Sequence, residues 1–202
     1  MVVPSYPPII LSMSFKKHIS LLKEALPKKE SILLFDKLAK KLAQDIVESA
    51  DNNKLILIFG NGGSAADSSH WSSELVASYE NRKRRPLPVI SLAESLSTIT
   101  AIANDTNYKN VFKRQVEAYG YNLGLAIGLS TSGQSENVLN ALDKAQTYNA
   151  KTVLLTGLKY EKKNRFYNEI IFNSFHVGTI QTLTQIFYHS VCKEVENIII
   201  EN

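Results

Sequence analysis

The chain has 202 residues, of which 44% are hydrophobic and 21% charged, with a formal net charge of +4. That is enough apolar material for a core, and too little net charge to point to nucleic acid; no apolar run is long enough to span a bilayer. The single cysteine, Cys192, excludes an internal disulfide and reads as a buried small residue in a reducing compartment, so a cytoplasmic location is expected.

The stretch Met1–Met13 reads MVVPSYPPIILSM, and its three prolines argue against a signal-peptide helix. A more ordinary sequence, MSFKKHISLLKEAL, begins at Met13. Met13 is therefore expected to be the native start, with residues 1–13 as an extension and 14–202 as one domain. Phe15 to Leu26 and Glu30 to Ala50 read as helices, the second with apolar residues at Leu34, Leu38, Leu42 and Ile46. Pro27 separates them, because proline disfavours a helical residue before it.

Lys54 to Phe59 is a short continuous apolar run that suits a strand buried on both faces. A glycine-rich turn follows, then a helical pattern from about Ala65 to Ser78. Leu87 to Leu92 reads as a strand, followed by a helical segment from Ser97 to Ala103. A third strand, Leu123 to Leu129, leads into a Ser/Thr/Gly turn and a helix from Glu136 to Tyr148. Lys151 to Leu155 and Glu169 to Phe172 read as the last strands, and Thr179 to Ile200 as a long closing helix. The alternation predicts an α/β fold with a parallel, doubly wound sheet and helices on both faces. Ligands in such sheets sit beyond the carboxyl ends of the strands. That rule points to the turns after Phe59 and Leu129.

The first turn is Gly60-Asn61-Gly62-Gly63-Ser64. Glycines let backbone N–H groups approach a ligand, and the following helix directs its positive end at the same spot, which suits an anion such as phosphate. A plain strand-to-helix turn explains the same glycines. The second turn, Ser130-Thr131-Ser132-Gly133-Gln134-Ser135, clusters four hydroxyls around one glycine. One serine would be a helix cap; four hydroxyls suit a phosphate cradle. Neither turn has the lysine of a Walker loop or the spacing of a dinucleotide fingerprint, so no nucleotide cofactor is expected.

His70 and Glu74 lie four residues apart, on one face of the helix that the first turn opens. Such a pair serves acid/base work, binds a metal, or makes a surface contact. Gln181 and His189 are eight residues apart on the closing helix and share a groove, although a satisfied, partly buried histidine explains His189 equally well. His18 and His176 carry no comparable argument. The basic run Arg82-Lys83-Arg84-Arg85 precedes Pro86 and reads as a solvated loop rather than a nucleic-acid patch.

Four segments together carry a resemblance: GNGGSAADSSHWSSELVAS (Gly60 to Ser78), RRPLPVISL (Arg84 to Leu92), TAIANDTNYKNVFKRQVEAYG (Thr100 to Gly120) and GLSTSGQSENVLNAL (Gly128 to Leu142). From about residue 30 onward the chain resembles the phosphoheptose isomerases of the sugar isomerase (SIS) domain family. The resemblance implies a flavodoxin-like three-layer SIS domain with N-terminal helices. It implies conversion of sedoheptulose 7-phosphate to D-glycero-D-manno-heptose 7-phosphate, for bacterial lipopolysaccharide or capsule, by a homotetramer with active sites at subunit interfaces. It assigns Glu74 and His189 as the acid/base pair. Substrate contacts fall to Asn61, Gly62, Gly63, Ser64, Asn104, Asp105, Gln181 and the phosphate-holding Ser130, Thr131, Ser132 and Ser135. Zinc is implied on His70, Glu74, Gln181 and His189.

The chain departs from the family pattern at Ser78, where an arginine is usual, and at Ser95, where an aspartate is usual. Thr179 and Thr182 stand in the usual RIQE signature, and Leu158 to Arg165 replaces a glycine-rich segment. A non-catalytic SIS protein of the kind that associates with the replication initiator is the main alternative; those relatives lack the glutamate and histidine. An isomerase for a different sugar phosphate is a second alternative, and a sugar-phosphate-sensing regulatory domain a third, but no helix-turn-helix segment is apparent.

Overall fold

The structure, a computed structural model, describes residues 15–201. The expected start at Met13 lies outside the described residues. Helices α1 (Phe15–Ala25) and α2 (Lys29–Asp51) form the N-terminal region. Helix α2 buries Ala39, Leu42, Ala43, Ile46, Val47 and Ala50. This three- and four-residue spacing places one apolar stripe on the body of the protein. Among the described residues no helix is long and apolar enough to cross a membrane.

Five parallel strands form one sheet in the order β2-β1-β3-β4-β5. They are β1 (Leu55–Gly60), β2 (Val89–Ser91), β3 (Leu123–Leu129), β4 (Lys151–Gly157) and β5 (Asn168–Phe172). Side chains alternate across the sheet, as a period of two requires. Ile56, Ile58, Ile127, Val153 and Phe172 join α2, α3 (Gly63–Val76) and α7 (Val177–Glu201) in one core layer. Leu57, Phe59, Ala126 and Leu154 join the layer of α4 (Leu96–Asp105), α5 (Lys113–Tyr119) and α6 (Glu136–Gln146) on the other face. The result is the three-layer α/β architecture that the alternating pattern predicts.

Two details differ from the sequence reading. Strand β2 is shorter than Leu87–Leu92: Pro88 lacks an N–H, although its carbonyl still accepts from Ile56 N–H at 3.0 Å. Helix α5 was not anticipated, since seven residues are too few to show a period. Its buried Gln115 donates to the Leu92 and Val111 carbonyls at 3.1 and 2.9 Å.

The order of the sheet sets the place of the site. The chain leaves β1 toward β2 on one side, and β3 leads away toward β4 on the other. Between β1 and β3 the connections diverge and open a crevice at the carboxyl ends, the usual ligand position for this strand order. Both polar turns lie there. The sheet-facing side of α2 holds the N-terminal helices to this body. We predict that Ile46→Ala, at a fully buried position in that layer, lowers the unfolding free energy by about 2–5 kcal/mol in chemical denaturation.

Candidate active site

The turn after β1 carries Asn61, and its side chain spans the crevice. Asn61 Nδ2 donates to Asn137 Oδ1 at 2.9 Å, and Asn137 Nδ2 donates back to Asn61 Oδ1 at 2.8 Å. The Tyr108 hydroxyl donates to the same Asn61 Oδ1 at 2.9 Å. Asn137 lies in the first turn of α6, so this pair ties the first polar turn to the helix opened by the second. The amides expected to face an anion are partly used up: Ser64 and Ala65 N–H donate to the Asn61 and Gly62 carbonyls, each at 3.0 Å. Gly63 packs against the Gln181 amide: a Cβ there would lie 2.2 Å from Gln181 Nε2, so that flexible side chain would have to move aside.

The turn after β3 is organised by its own hydroxyls. Buried Ser130 donates to Ser135 Oγ at 2.9 Å, and Gln134 N–H donates to Ser132 Oγ at 3.2 Å. Ser135 occupies the N-cap position of α6 but makes no side-chain capping bond. The simple cap explanation therefore does not account for its hydroxyl. Gly133 has φ +65°, a left-handed conformation, and a Cβ there would strike the Tyr160 ring at 2.5 Å. Tyr160 belongs to the Leu158–Arg165 segment, so that segment packs under the hydroxyl turn.

His70, Glu74 and His189 converge from α3 and α7. His70 Nε2 lies 3.0 Å from Glu74 Oε1. The His70 and His189 rings are 5.4 Å apart and nearly perpendicular. One ligand atom from each of the three residues lies within 4.8 Å of the others. Two imidazole nitrogens and a carboxylate oxygen form a donor set that suits zinc, with room for substrate or water in the remaining position. These residues therefore fit the metal that the resemblance implies. Gln181 stands beside the glycine turn, about two turns of α3 from His70. Burial, followed by the facing His70, lowers the His189 pKa from its ordinary 6.5, while Glu74 pulls the other way.

Several residues of this site were not singled out in the sequence. Tyr79 stacks on the His189 ring at 5.3 Å, and the Tyr188 hydroxyl lies 2.8 Å from His70 Nδ1. Beneath them sits a buried ion pair. The Glu196 carboxylate accepts N–H groups from Tyr79, Glu80 and Asn81 at 2.9–3.1 Å. Arg84 Nε lies 3.6 Å from it, and both side chains are almost fully buried. Arg84 also donates to the Glu74 carbonyl at the end of α3, where a cation satisfies an orphan acceptor. The basic run is thus not wholly a solvated loop: Arg82, Lys83 and Arg85 are exposed, but Arg84 is drawn inside by Glu196.

The remaining sequence expectations fall outside this cluster. Asn104 donates to Asp105 at 2.9 Å, and both are exposed at the end of α4. Ser95 caps α4, accepting from Thr98 N–H at 3.4 Å. Thr179 N–H donates to His176 Nδ1 at 3.2 Å, which gives His176 a role at the start of α7. Ser78 follows the end of α3.

Burial alone would raise the Glu196 carboxyl, but the backbone N–H groups and Arg84 outweigh it and hold it below its ordinary 4.5. Its stabilising contribution is therefore present above pH 4.5 and lost as pH falls through the lower folded value. We predict that Glu196→Gln, which leaves Arg84 buried without its counter-charge, costs about 3–5 kcal/mol at pH 7. The gap from wild type should narrow below pH 4.5 when unfolding free energy is measured against pH.

Residues 15–157 match the SIS domain family. The chain is 42% identical to the phosphoheptose isomerase of Aliarcobacter butzleri (strain RM4018) over 78% of its own length and 84% of that protein. Its fold is similar to the solved phosphoheptose isomerases of Neisseria gonorrhoeae and Francisella tularensis. The TM-scores are 0.74 and 0.76 and the identities 28% and 27%, covering 91% of this chain and 95% and 94% of theirs. Motifs, strand order and overall likeness agree: the chain belongs to the SIS-domain family, within its phosphoheptose isomerases.

Proposed function

We propose that this isomerase converts sedoheptulose 7-phosphate to D-glycero-D-manno-heptose 7-phosphate by moving a proton between C1 and C2. The observation that carries the reading is the convergence of His70, Glu74 and His189 about two turns along the helix that the first polar turn opens. A protein that only binds phosphate has no need of a carboxylate and two imidazoles at that place. The relatives' printed activity supports the same reading.

The hydroxyls of Ser130, Thr131, Ser132 and Ser135 hold the phosphate at the α6 N-terminus. Asn61, Gly62, Gly63, Ser64 and Gln181 line the other side of the crevice, and Asn104 and Asp105 serve the sugar at its rim. From Gly63 to His70, α3 rises about 10 Å, of the order of an extended seven-carbon chain. Anchoring the phosphate thus positions the carbonyl end. Glu74 takes a proton from C1 and returns it to C2, while His189 moves the accompanying proton from O1 to O2. His189 is suited to this because its lowered pKa keeps the ring neutral at pH 7. His70, Glu74 and His189 would hold zinc, which would supply Lewis-acid polarisation of the carbonyl oxygen; Gln181, whose amide lies against Gly63, would have to turn toward them to serve as a further donor. Exposed Ile32, Leu33 and Leu34 on α2 and Ile186 on α7 support burial in a homotetramer that completes its sites at subunit boundaries. The buried free thiol of Cys192 supports a cytoplasmic location.

The direct test is incubation of the purified protein with sedoheptulose 7-phosphate, with and without a chelator, followed by assay for the aldose. Glu74→Gln and His189→Ala should each lower kcat by about 100-fold or more with the circular dichroism spectrum unchanged. Full turnover in both variants removes the mechanism. Ser132→Ala should act mainly on KM, about 10–150-fold, as expected for loss of one hydrogen bond to a charged group. Because His189 works neutral and its pKa is lowered, the acidic limb of kcat/KM should be centred below pH 6.5; a limb centred above 6.5 contradicts this role.

A further inference from the structure

We propose that Tyr188 is a positioning residue that holds the His70 ring in place through Nδ1. Through it, Tyr188 sets the orientation in which Glu74 and His70 meet substrate or a cation. This deepens the reading of the same site given above, although its spectroscopic test does not depend on that reading.

The phenol is held firmly. Tyr188 is fully buried, and its ring stacks on the equally buried Trp71 at 5.3 Å with 17° between the planes. Its hydroxyl lies 2.8 Å from His70 Nδ1, and the Gln185 side chain is a second hydrogen-bond partner. Burial raises the phenol above its usual range, so it is present as a neutral O–H.

The direction of the hydrogen bonds follows from the other end. Glu74 Oε1 faces His70 Nε2 at 3.0 Å, and an ionised carboxylate only accepts. Nε2 must therefore carry a hydrogen. In a neutral ring Nδ1 is then bare and accepts from the Tyr188 hydroxyl. The three groups form one directed chain, Tyr188 O–H to Nδ1 and Nε2–H to Glu74. Such chains strengthen each bond they contain.

The same oxygen also serves the opposite arrangement. A cation on Nε2 needs that nitrogen bare, so the proton must sit on Nδ1. Tyr188 then accepts where before it donated, and neither ring has to move. A phenylalanine fills the same space but does neither. Histidines that hold a metal are commonly oriented by a partner on the other nitrogen, and loss of such a partner typically weakens the site tenfold or more.

The experiment is nitrogen-15 NMR of imidazole-labelled full-length protein, stripped with a chelator, at pH 7.5. His70, assigned by its loss in His70→Gln, should show a protonated Nε2 and a bare Nδ1. Tyr188→Phe should shift the His70 Nδ1 signal, which loses its hydrogen-bond donor, while the proton facing Glu74 stays on Nε2. The same variant should bind zinc about tenfold more weakly in a chelator competition, and lower kcat about tenfold with KM within twofold. A wild-type spectrum with the proton on Nδ1, or on both nitrogens, overturns the proposal whether or not the variant folds. So does a folded Tyr188→Phe with unchanged His70 signals and unchanged zinc affinity.

Discussion

The alignment of α3 with α7 is the constraint on which the site depends. The two helices run in the same direction, and their register is set at three levels. Near the start, Gly63 without a side chain admits the Gln181 amide. In the middle, Trp71 stacks on Tyr188. At the far end, Glu196 of α7 grips the three backbone N–H groups that follow α3, with Arg84 beside it. One turn of slip is about 5.4 Å. The three ligand atoms of His70, Glu74 and His189 lie within 4.8 Å of one another, so a slip of that size would dissolve the cluster. The cluster thus depends on the packing of the two helices along their length, well beyond the three residues themselves.

Sheet topology supplies the second requirement, that the two polar turns be brought together. The divergence of connections between β1 and β3 puts both polar turns at one crevice. The reciprocal amides of Asn61 and Asn137 then tie those turns together, with the Tyr108 hydroxyl as a third member. Every bond in this set crosses between segments distant in sequence. A local hydrogen bond would stabilise one turn, whereas these fix the width of the cleft.

Much of the fold was legible because its signals are local. Strands β1 and β3 are uninterrupted apolar runs, as strands buried on both faces must be, β4 carries a shorter one at Val153 to Leu155, and α2 shows its stripe directly. His70 and Glu74 could be placed on one face by spacing alone. The rest was hidden because distant partners decide it. Arg84 sits in a run of four basic residues, and that pattern says solvent; its burial follows from Glu196, on the last helix. Tyr188 neighbours His189 in the chain, yet its hydroxyl serves His70, which only the packing of α3 on α7 reveals. Asn137 looks like an ordinary residue of a first helical turn, and its partner is 76 positions away.

The departures from the family pattern sort by the same logic. Ser95 caps a helix, and Thr179 closes the first turn of α7 with His176; both are occupied by helix-end chemistry. The Leu158–Arg165 segment is different. The Glu169 carboxylate gathers its backbone, accepting N–H groups from Lys163, Asn164 and Arg165 at 3.2, 3.1 and 2.7 Å, together with the Tyr160 hydroxyl at 2.8 Å. Tyr160 in turn presses against Gly133, at the centre of the hydroxyl turn. The charge-rich loop that stands in place of a glycine-rich segment is therefore packed, through Tyr160, against the hydroxyl turn. Of the departures, this one reaches the crevice through packing rather than through a side chain exposed to it.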